Sequence, residues 1–422
     1  MKKERIAVIG SGISGLTIAN LLKESYEVTI FEKEDEIGGL IKCKRVHDCL
    51  FHQVGGHVFN STNKKVLDWF WSFFDKDAEF VKAKRNAKIY FTDRIIGYPI
   101  EDHLFELDES KVTHIIPELL AIHRNGTDQP DKCADFGDFL QNNFGATLYK
   151  LYFKPYNEKL WQINPHHISL AWLKDKLPMP DVQQILQSNI LRQEETKMVH
   201  SSFYYPKEGG SQFIANRLSH KLDIRTGAAV NRISLQESGI SLNGMDVYNK
   251  IIYTGDIRSL PASIKDLLKK RGVNVSGLEA LRSNGTSNLF CETDKNDISW
   301  LYLPEPFTKA HRIVYTGNFS DTNNRGSERS TCIVEFSGKI DYEGMCREAK
   351  LLPGNLTPLA GNYEPNSYVV QDSNTHAMIQ DARHALELHG VYLLGRFAEW
   401  EYYNMDKAIE AAFRLRDKIG SS

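Results

Sequence analysis

The hydrophobic pattern of the first forty residues predicts a strand, a helix and a second strand in close succession. Arg5–Ile9 is an apolar run, and residues 14–24 repeat apolar side chains with the period of a helix. Glu27–Phe31 is a second β-prone run, and Glu32 follows it directly. A βαβ unit with an acidic residue after its second strand is the arrangement of a dinucleotide-binding fold.

Three glycines fill the turn between the first strand and the helix at the G-x-G-x-x-G spacing. Gly10 permits the tight turn, Gly12 lets a pyrophosphate approach the backbone, and Gly15 lets the helix pack on the strand. The helix begins at Ser14, and its N-terminus offers free N–H groups and partial positive charge to phosphates. We therefore predict a dinucleotide site in which Glu32 accepts hydrogen bonds from an adenosine ribose. The alternative is a glycine-bearing turn that binds no ligand.

The residues after Glu32 indicate which dinucleotide is bound. Lys33 follows it, and the pair Gly38 and Gly39 precedes Leu40. This pair is similar to the second signature of flavoproteins of the glutathione-reductase type, where it lets the chain pass close to the cofactor. An NAD enzyme has no need of it, so we expect FAD.

In the later segments of the chain, the spacing of apolar side chains changes several times between that of a strand and that of a helix. This predicts an α/β fold with insertions. Two β-prone runs around Thr92 and Asp93 predict a hairpin at 88–99. Residues 222–233 and 240–252 are predicted to return to the dinucleotide-binding sheet, and 390–394 to form its last strand before a helix ending at Gly420. Between these lies a helical block, whose predicted segments are 110–123, 135–152, 167–176 and 181–193.

These patterns divide the chain into three units. A Rossmann-like FAD-binding domain takes 1–85, 215–288 and 380–422. A helical substrate-binding insertion takes 100–193, and a separate antiparallel β-sheet domain takes 86–99, 200–214 and 289–379.

The composition bears on the partners and the location of the protein but does not indicate a function. The 422 residues are 41% hydrophobic and 25% charged, with a net charge of −2, so we expect no nucleic acid partner. No apolar run is long enough for membrane insertion, and we expect a cytoplasmic protein. The 6 cysteines are scattered, which favours free thiols and no metal site.

Five segments together resemble the UDP-galactopyranose mutases, within the wider fold of flavin amine oxidases and protoporphyrinogen oxidases. The resemblance runs nearly end to end. The segments are GGH at 55–57, PYNEKLW at 155–161, SLAWLKDKLPMP at 169–180 with FYYPKEGG at 203–210, WLYLPEPFTKAHRI at 300–313, and GRFAEWEYYNMDKAI at 395–409.

The resemblance implies an unusual use of the cofactor. N5 of reduced FAD attacks the anomeric carbon of a UDP-hexose, the sugar ring opens and recloses between pyranose and furanose, and UDP reattaches. The product serves cell-surface polysaccharide synthesis. The implied partners are a UDP-sugar and a reductant for the flavin; whether the chain forms a homodimer is left open.

The same resemblance assigns roles to individual residues. Arg312 and Lys176 take the places of two diphosphate-binding arginines, with lysine replacing arginine at 176, and His57 lies beside the flavin. Substrate contacts are implied for Tyr156, Asn157, Trp161, Tyr368, Tyr402, Tyr403 and Asn404, the last replacing the usual bacterial aspartate. Cofactor contacts are implied for Gly56, His57, Val230, Gly395, Arg396, Asn404, Met405 and Ala408.

Two other functions share these features. An FAD-dependent oxidoreductase of the amine oxidase or protoporphyrinogen oxidase type would use the same cofactor frame to accept hydride. A non-catalytic flavin-binding protein would need only the residues that bind the cofactor. Tyr156 and Trp161 are alternatively plain core aromatics, and Lys176 and Arg312 solvated surface charges.

Overall fold

A computed structural model gives the positions of residues 3–127, 132–170, 181–193 and 201–421. Lys176, and with it residues 171–176 of a predicted helix, lie outside these ranges. None of the helices within them has the length and apolar character needed to cross a membrane.

The strands of the described residues are assigned in chain order. They are β1 Arg5–Ile9, β2 Glu27–Phe31, β3 Cys43–Val46, β4 Cys49–His52, β5 Phe80–Lys84, β6 Ala87–Phe91, β7 Arg94–Gly97, β8 Ser202–Pro206, β9 Asp223–Arg225, β10 Ile233–Gln236, β11 Gly239–Leu242, β12 Asp246–Tyr248, β13 Lys250–Tyr253, β14 Ser283–Thr293, β15 Trp300–Tyr302, β16 Ala310–Val314, β17 Ser330–Ser337, β18 Thr357–Val369 and β19 Val391–Leu393.

The α-helices are numbered in the same way. They are α1 Ile13–Leu22, α2 Lys64–Trp71, α3 Lys76–Glu79, α4 Glu109–Asn125, α5 Phe136–Phe144, α6 Ala146–Leu148, α7 Lys154–Trp161, α8 Val182–Leu191, α9 Gly210–Leu218, α10 Ala262–Lys270, α11 Val275–Glu279, α12 Tyr342–Ala349, α13 Thr375–Glu387 and α14 Met405–Gly420.

The dinucleotide-type sheet is parallel, with the order β19-β13-β1-β2-β9. Both β1 and β2 have their predicted bounds, and α1 between them is slightly shorter than predicted. The last strand and the helix ending at Gly420 are also confirmed. Apolar residues of α1 and α14 pack on one face of this sheet, among them Leu16, Ile18 and Ile409. The α/β fold class is confirmed.

The prediction for 222–252 is partly wrong. Only β9 and β13 join the parallel sheet, whereas β10, β11 and β12 form a separate antiparallel sheet. Asn243 and Gly244 have positive φ and make a tight reversal there. Two short reversals allow only antiparallel neighbours, because a parallel connection needs a dozen or more residues.

A seven-stranded sheet, ordered β18-β14-β17-β16-β15-β6-β7, carries the predicted hairpin at its edge. It is mixed and not wholly antiparallel as predicted, because β6 and β15 run parallel. Side chains alternate between its two faces. Leu301, Ile313 and Val334 face outward and join the core cluster that contains Met345 of α12. Their neighbours Tyr302 and Arg312 lie directly opposite each other on β15 and β16, and so belong to the other face, here called the inner face.

The helical block lies against the end of this sheet, with its apolar residues in one cluster that includes Phe139, Trp161 and Trp300. The predicted helix 135–152 is broken at Gly145, which has a φ of 90°. A π turn at Tyr149–Phe153 then leads into α7. The predicted domain boundaries stay a prediction.

Candidate functional site

The strand–helix turn leaves no room for side chains. A Cβ on Gly15 would lie 1.9 Å from the carbonyl oxygen of Gly10. Gly10 itself has a φ of +106°, and a Cβ there would lie 2.3 Å from Oγ1 of Thr254. The close contact of helix and strand therefore requires glycine at 15, and the turn requires it at 10.

Glu32 is buried beside this turn. Its Oε2 accepts hydrogen bonds from Ser11 N at 2.8 Å and Ser11 Oγ at 2.6 Å, and its Oε1 accepts from Glu34 N at 3.0 Å. The backbone N–H of Ala228, in the loop that carries Val230, donates to the Glu32 carbonyl at 2.8 Å. The loop of Val230 therefore lies beside Glu32, and the predicted contact of Val230 with adenine stays a prediction. The Lys33 side chain is exposed.

The second glycine pair approaches the first turn directly. Gly38 N donates to the Ser11 carbonyl at 3.0 Å, and Gly38 pairs with Gly12 as an isolated bridge. A Cβ on Gly39 would lie 3.2 Å from the Gly12 Cα. Leu40, next in the chain, is partly exposed. The two glycine elements thus form one backbone surface.

The carboxy-terminal motif completes this surface from the far end of the chain. A Cβ on Gly395 would lie 2.7 Å from Oγ of Ser14. Asn404 takes the N-cap position of α14, and Met405 and Ala408 are buried within its first turns. The positive end of the α14 dipole lies there.

The turn at 55–57 packs on the inner face of the seven-stranded sheet. A Cβ on Gly56 would lie 2.5 Å from Cγ1 of Val314. Gly55 N donates to Oε1 of Glu335 at 2.9 Å, and His57 N donates to Nδ1 of His52 at 3.1 Å. The backbone of the turn is therefore held by two buried side chains.

His57 is neutral at ordinary pH. Burial first, then the nearby charges of Arg396 and Arg312, lower its pKa to about 3. Its Nε2 is buried and finds no hydrogen-bond partner among the described residues. A buried polar atom of this kind indicates that a ligand or water completes the site.

Arg312 lies at the centre of the inner face. Its Nε donates to the fully buried Glu335, and its Nη2 donates to the Tyr368 hydroxyl at 3.0 Å. Glu335 therefore holds both Arg312 and the turn at 55–57. The surface alternative for Arg312 does not describe its place in the fold, because its side chain is 19% exposed.

Aromatic rings surround Arg312. Tyr368 and Tyr402 are stacked with centroids 5.9 Å apart, and Trp161 meets them edge-on at 5.9 Å and 6.2 Å. The guanidinium of Arg396 lies 4.6 Å above the Tyr402 ring. Residues from three separate motifs thus lie together with Tyr368, which was predicted outside those motifs. They are here called the Arg312 cluster: Arg312, Trp161, Tyr368, Tyr402 and Arg396.

Tyr156 links this cluster to further tyrosines. It stacks on Tyr152 at 5.8 Å and meets Tyr302 edge-on at 5.5 Å. Burial, followed by the neighbouring Tyr302, raises its pKa well above the ordinary value, and Arg312 acts against that shift. Burial likewise raises the pKa of Tyr368. Both are therefore neutral hydrogen-bonding groups.

Two predicted substrate contacts, Asn157 and Tyr403, have other neighbours in the structure, and their binding roles stay predictions. The Asn157 amide is used inside α7, where Oδ1 accepts from Trp161 Nε1 at 3.1 Å and Nδ2 donates to the Phe153 carbonyl at 2.7 Å. It therefore positions the Trp161 ring. Tyr403 lines a separate small pocket with Arg383 and Glu399, on the other side of the 395–404 turn.

Sequence reasoning missed Glu335, Tyr302, Tyr98 and Arg85. Tyr98 stacks on Tyr302 at 4.8 Å, and Arg85 donates to the Tyr302 hydroxyl. One signal was available, since Glu335 is a single charge inside an otherwise apolar strand run. Charged residues are almost never fully buried unless paired, so such a position indicates a buried partner.

Comparison with known proteins finds similar sequences over nearly the whole chain. Residues 8–76 match the family model of an NAD(P)-binding Rossmann-like domain. The chain is 22% identical to the UDP-galactopyranose mutase of Mycoplasma genitalium, over 98% of this chain and 94% of the relative. It is 25% identical to the dTDP-fucopyranose mutase of Escherichia coli, over 97% and 96%.

Solved structures show the same fold. A reduced UDP-galactopyranose mutase superposes with a TM-score of 0.86 at 18% identity, covering 100% of this chain and 94% of the other. A protein assigned as a protoporphyrinogen oxidase, from Exiguobacterium, gives 0.74 at 14% identity, covering 99% of both chains. These relatives support an enzyme of the isomerase class, and the predicted resemblance to the UDP-galactopyranose mutase family is confirmed over nearly the whole chain.

Proposed function

We propose that this protein interconverts the pyranose and furanose forms of a nucleoside-diphosphate hexose, with UDP-galactose as the first candidate. We place the reaction in the cytoplasm, where its product would supply cell-surface polysaccharide synthesis. The observation that carries the proposal is the Arg312 cluster, which joins a guanidinium, phenol hydroxyls and an indole ring next to the turn at 55–57. The guanidinium and the phenol hydroxyls suit a diphosphate, and the indole ring suits a nucleotide base.

The residues present fit FAD as the cofactor. The backbone surface formed by Gly12, Gly38 and Gly39 suits the close approach of a pyrophosphate. Two features suit the flavin ring, whose reduced form carries negative charge near N1. They are the N-terminal end of α14 and the Nε2 of His57, which has no hydrogen-bond partner in the described part of the chain. The chemistry that reduced FAD supplies when bound is nucleophilic, directed at the anomeric carbon of the sugar.

Arg312 would hold the diphosphate when it leaves the sugar. Its Nε and Nη2 are engaged by Glu335 and Tyr368, which within the described part of the chain leaves Nη1 to face an anion. Arginine suits this task because it is always charged. The fixed hydrogen bonds orient it before the ligand arrives, which lowers the entropy lost on binding.

Neutral groups complete the site. The raised pKa values of Tyr156 and Tyr368 keep both hydroxyls protonated, so that they donate to a phosphate without adding charge. A site that must bind, release and recapture UDP benefits from this balance. Trp161, fixed by Asn157, would pack against the base.

The test is direct. The purified holoenzyme is reduced with dithionite and given UDP-galactofuranose, and UDP-galactopyranose is measured by chromatography. We expect conversion in the reduced state and none in the oxidised state. A parallel reaction with dTDP-fucofuranose distinguishes the nucleotide and sugar preference.

Two outcomes contradict the proposal. One is that neither sugar nucleotide is converted and UDP fails to perturb the flavin spectrum. The other is that an amine or a porphyrinogen bleaches the oxidised flavin while the sugar nucleotides do not react, which would establish the oxidoreductase alternative.

A further inference from the structure

His52, the last residue of β4, is fully buried beside the turn at 55–57. Its ring is nearly parallel to those of His57 and Tyr205, with centroids 6.0 Å and 5.6 Å away. Its Nδ1 accepts from the backbone N–H of His57 at 3.1 Å, and its Nε2 lies 2.7 Å from the Tyr205 hydroxyl. Both ring nitrogens are therefore engaged, although the proposed reaction gives this residue no part.

The hydrogen bonds of His52 define which nitrogen carries its proton. A backbone N–H can only donate, so Nδ1, which accepts from His57, carries no proton. Burial first, then the neighbouring His57, lower the pKa of His52 well below its ordinary value, so the ring is neutral. Its one proton is therefore on Nε2, and Nε2 donates to the Tyr205 hydroxyl.

The Tyr205 hydroxyl is fixed as the acceptor of this bond. It also accepts from Nδ2 of Asn323 at 3.0 Å, and the same Nδ2 donates to the Thr316 carbonyl at 2.8 Å. Burial raises the pKa of Tyr205 well above its ordinary value, so the phenol stays neutral. Because Tyr205 and Asn323 are both fully buried, bulk water does not compete for these bonds.

This series of hydrogen bonds ends on the turn at 55–57. The N–H of Gly55 is held by Glu335 and that of His57 by His52, so side chains from outside the turn fix the backbone on both sides of Gly56. A proton on Nδ1 of His52 would set two N–H groups against each other, and the turn would lose one of its two supports.

We propose that His52, in the tautomer with its proton on Nε2, is a positioning residue that sets the turn at 55–57 against the flavin. This inference rests on the part of the proposed function that places FAD beside this turn. The side chain of His57 projects from the turn, and its buried Nε2 suits the flavin ring, so a displaced turn would misplace that atom. His52 acts through the backbone of His57 and not by contact with the cofactor.

Nuclear magnetic resonance of the holoenzyme, labelled with nitrogen-15 in its histidines, tests the tautomer. At about pH 7.5 His52 should show a protonated Nε2 and an unprotonated Nδ1, and its signals are identified by their loss in His52→Asn. His103 supplies the opposite reference, because its Nδ1 lies 2.9 Å from the Pro99 carbonyl, which can only accept. A proton on Nδ1 of His52 overturns the inference.

Two substitutions separate the support of the turn from the packing of the ring. His52→Asn keeps an acceptor near the position of Nδ1, whereas His52→Gln places its amide near Nε2 and leaves Nδ1 without a replacement. Both remove a buried ring and should lower the melting temperature alike. We expect His52→Gln to weaken flavin binding by about tenfold and to shift the flavin absorbance, since it loses a buried hydrogen bond to the turn. His52→Asn should weaken flavin binding by less than about threefold.

His103→Gln is the matched control, since it also removes an imidazole that makes one hydrogen bond, away from the turn. It should leave flavin affinity and absorbance unchanged. Flavin binding that falls equally in His52→Gln and His52→Asn, or in neither, overturns the inference while the proposed function stands. A wild-type protein that holds flavin and shows the assigned tautomer, yet neither converts a sugar nucleotide nor binds UDP, overturns the proposed function and supports the inference. A wild-type protein that binds no flavin overturns both.

Discussion

The glycine-rich surface and the Arg312 cluster differ in how the chain builds them. The first comes mainly from residues 10–39, where each constraint is a backbone contact such as the one between Gly10 and Gly15. The second joins side chains from positions as distant as 161, 312, 368, 396 and 402. A local element is specified by sterics at each position, whereas a site on a sheet face is specified by register and burial. Substitutions should therefore act on the two regions in different ways.

Gly15→Val should have the largest effect. The added Cβ would meet a backbone oxygen at 1.9 Å, which only a shift of α1 away from β1 can relieve. Overpacking of this kind costs about 3 kcal/mol or more when backbone must move. We expect a loss of bound flavin and of the folded protein, measured by flavin absorbance per chain and by thermal unfolding. Gly420→Ala, with open space around its Cβ, should change neither.

Arg312→Ala should have the second-largest effect. It separates the structural role of Arg312 from its proposed role in binding UDP. Removing Arg312 leaves the fully buried Glu335 without its guanidinium, and breaking a buried ion pair costs about 3 kcal/mol. The double variant Arg312→Ala with Glu335→Gln should regain much of the free energy of unfolding without regaining UDP binding. Denaturant unfolding and UDP titration measure the two effects. If the double variant binds UDP like the wild type, Arg312 has only a structural role.

His57→Gln should remove part of the acid sensitivity. The folded pKa of His57 is about 3, below the unfolded value of about 6.5, so its contribution is complete above pH 6.5 and is lost as the pH falls toward 3. At pH 5 the loss is about 1 to 2 kcal/mol. The difference in unfolding free energy between pH 7.5 and pH 5 should be smaller in the variant by that amount. An unchanged difference would mean that His57 titrates normally in the folded protein.

Tyr368→Phe should have the smallest effect. It removes the hydroxyl that accepts from Arg312 at 3.0 Å but keeps the ring stacked on Tyr402. A single hydrogen bond contributes about 1 kcal/mol, so UDP affinity should fall about fivefold, with the flavin retained. Tyr363→Phe, more exposed on the same strand, is the control. A loss of flavin in Tyr368→Phe would place this residue in the cofactor site instead.

Sequence reasoning succeeded where periodicity and turn chemistry decide the structure. It placed β1, β2 and the end of α14. It also selected all five members of the Arg312 cluster, through a family resemblance rather than through geometry. The binding roles of these residues stay predictions.

It failed where neighbours in space decide the structure. Nothing local distinguishes Glu335 as the link between Arg312 and Gly55, because the link depends on strand register and on how the turn at 55–57 packs. Nor does the sequence around Arg85 indicate its ring partners, which come from residues 98, 300 and 302. The antiparallel pairing of 233–248 was missed for a different reason, because the short reversal at Asn243 and Gly244 is a local signal that the prediction did not use.

The strand order of the parallel sheet has a consequence for synthesis. β1 is synthesised before the other strands of this sheet, yet one of its edges is paired by β13, at residues 250–253. β13 is paired in turn by β19, at 391–393. Until those segments emerge, the nascent chain presents an open, apolar strand edge, which is a template for aggregation. Completion of the cofactor-binding framework therefore waits for residues 391–393, and a chain that stops before residue 391 lacks the closing strand.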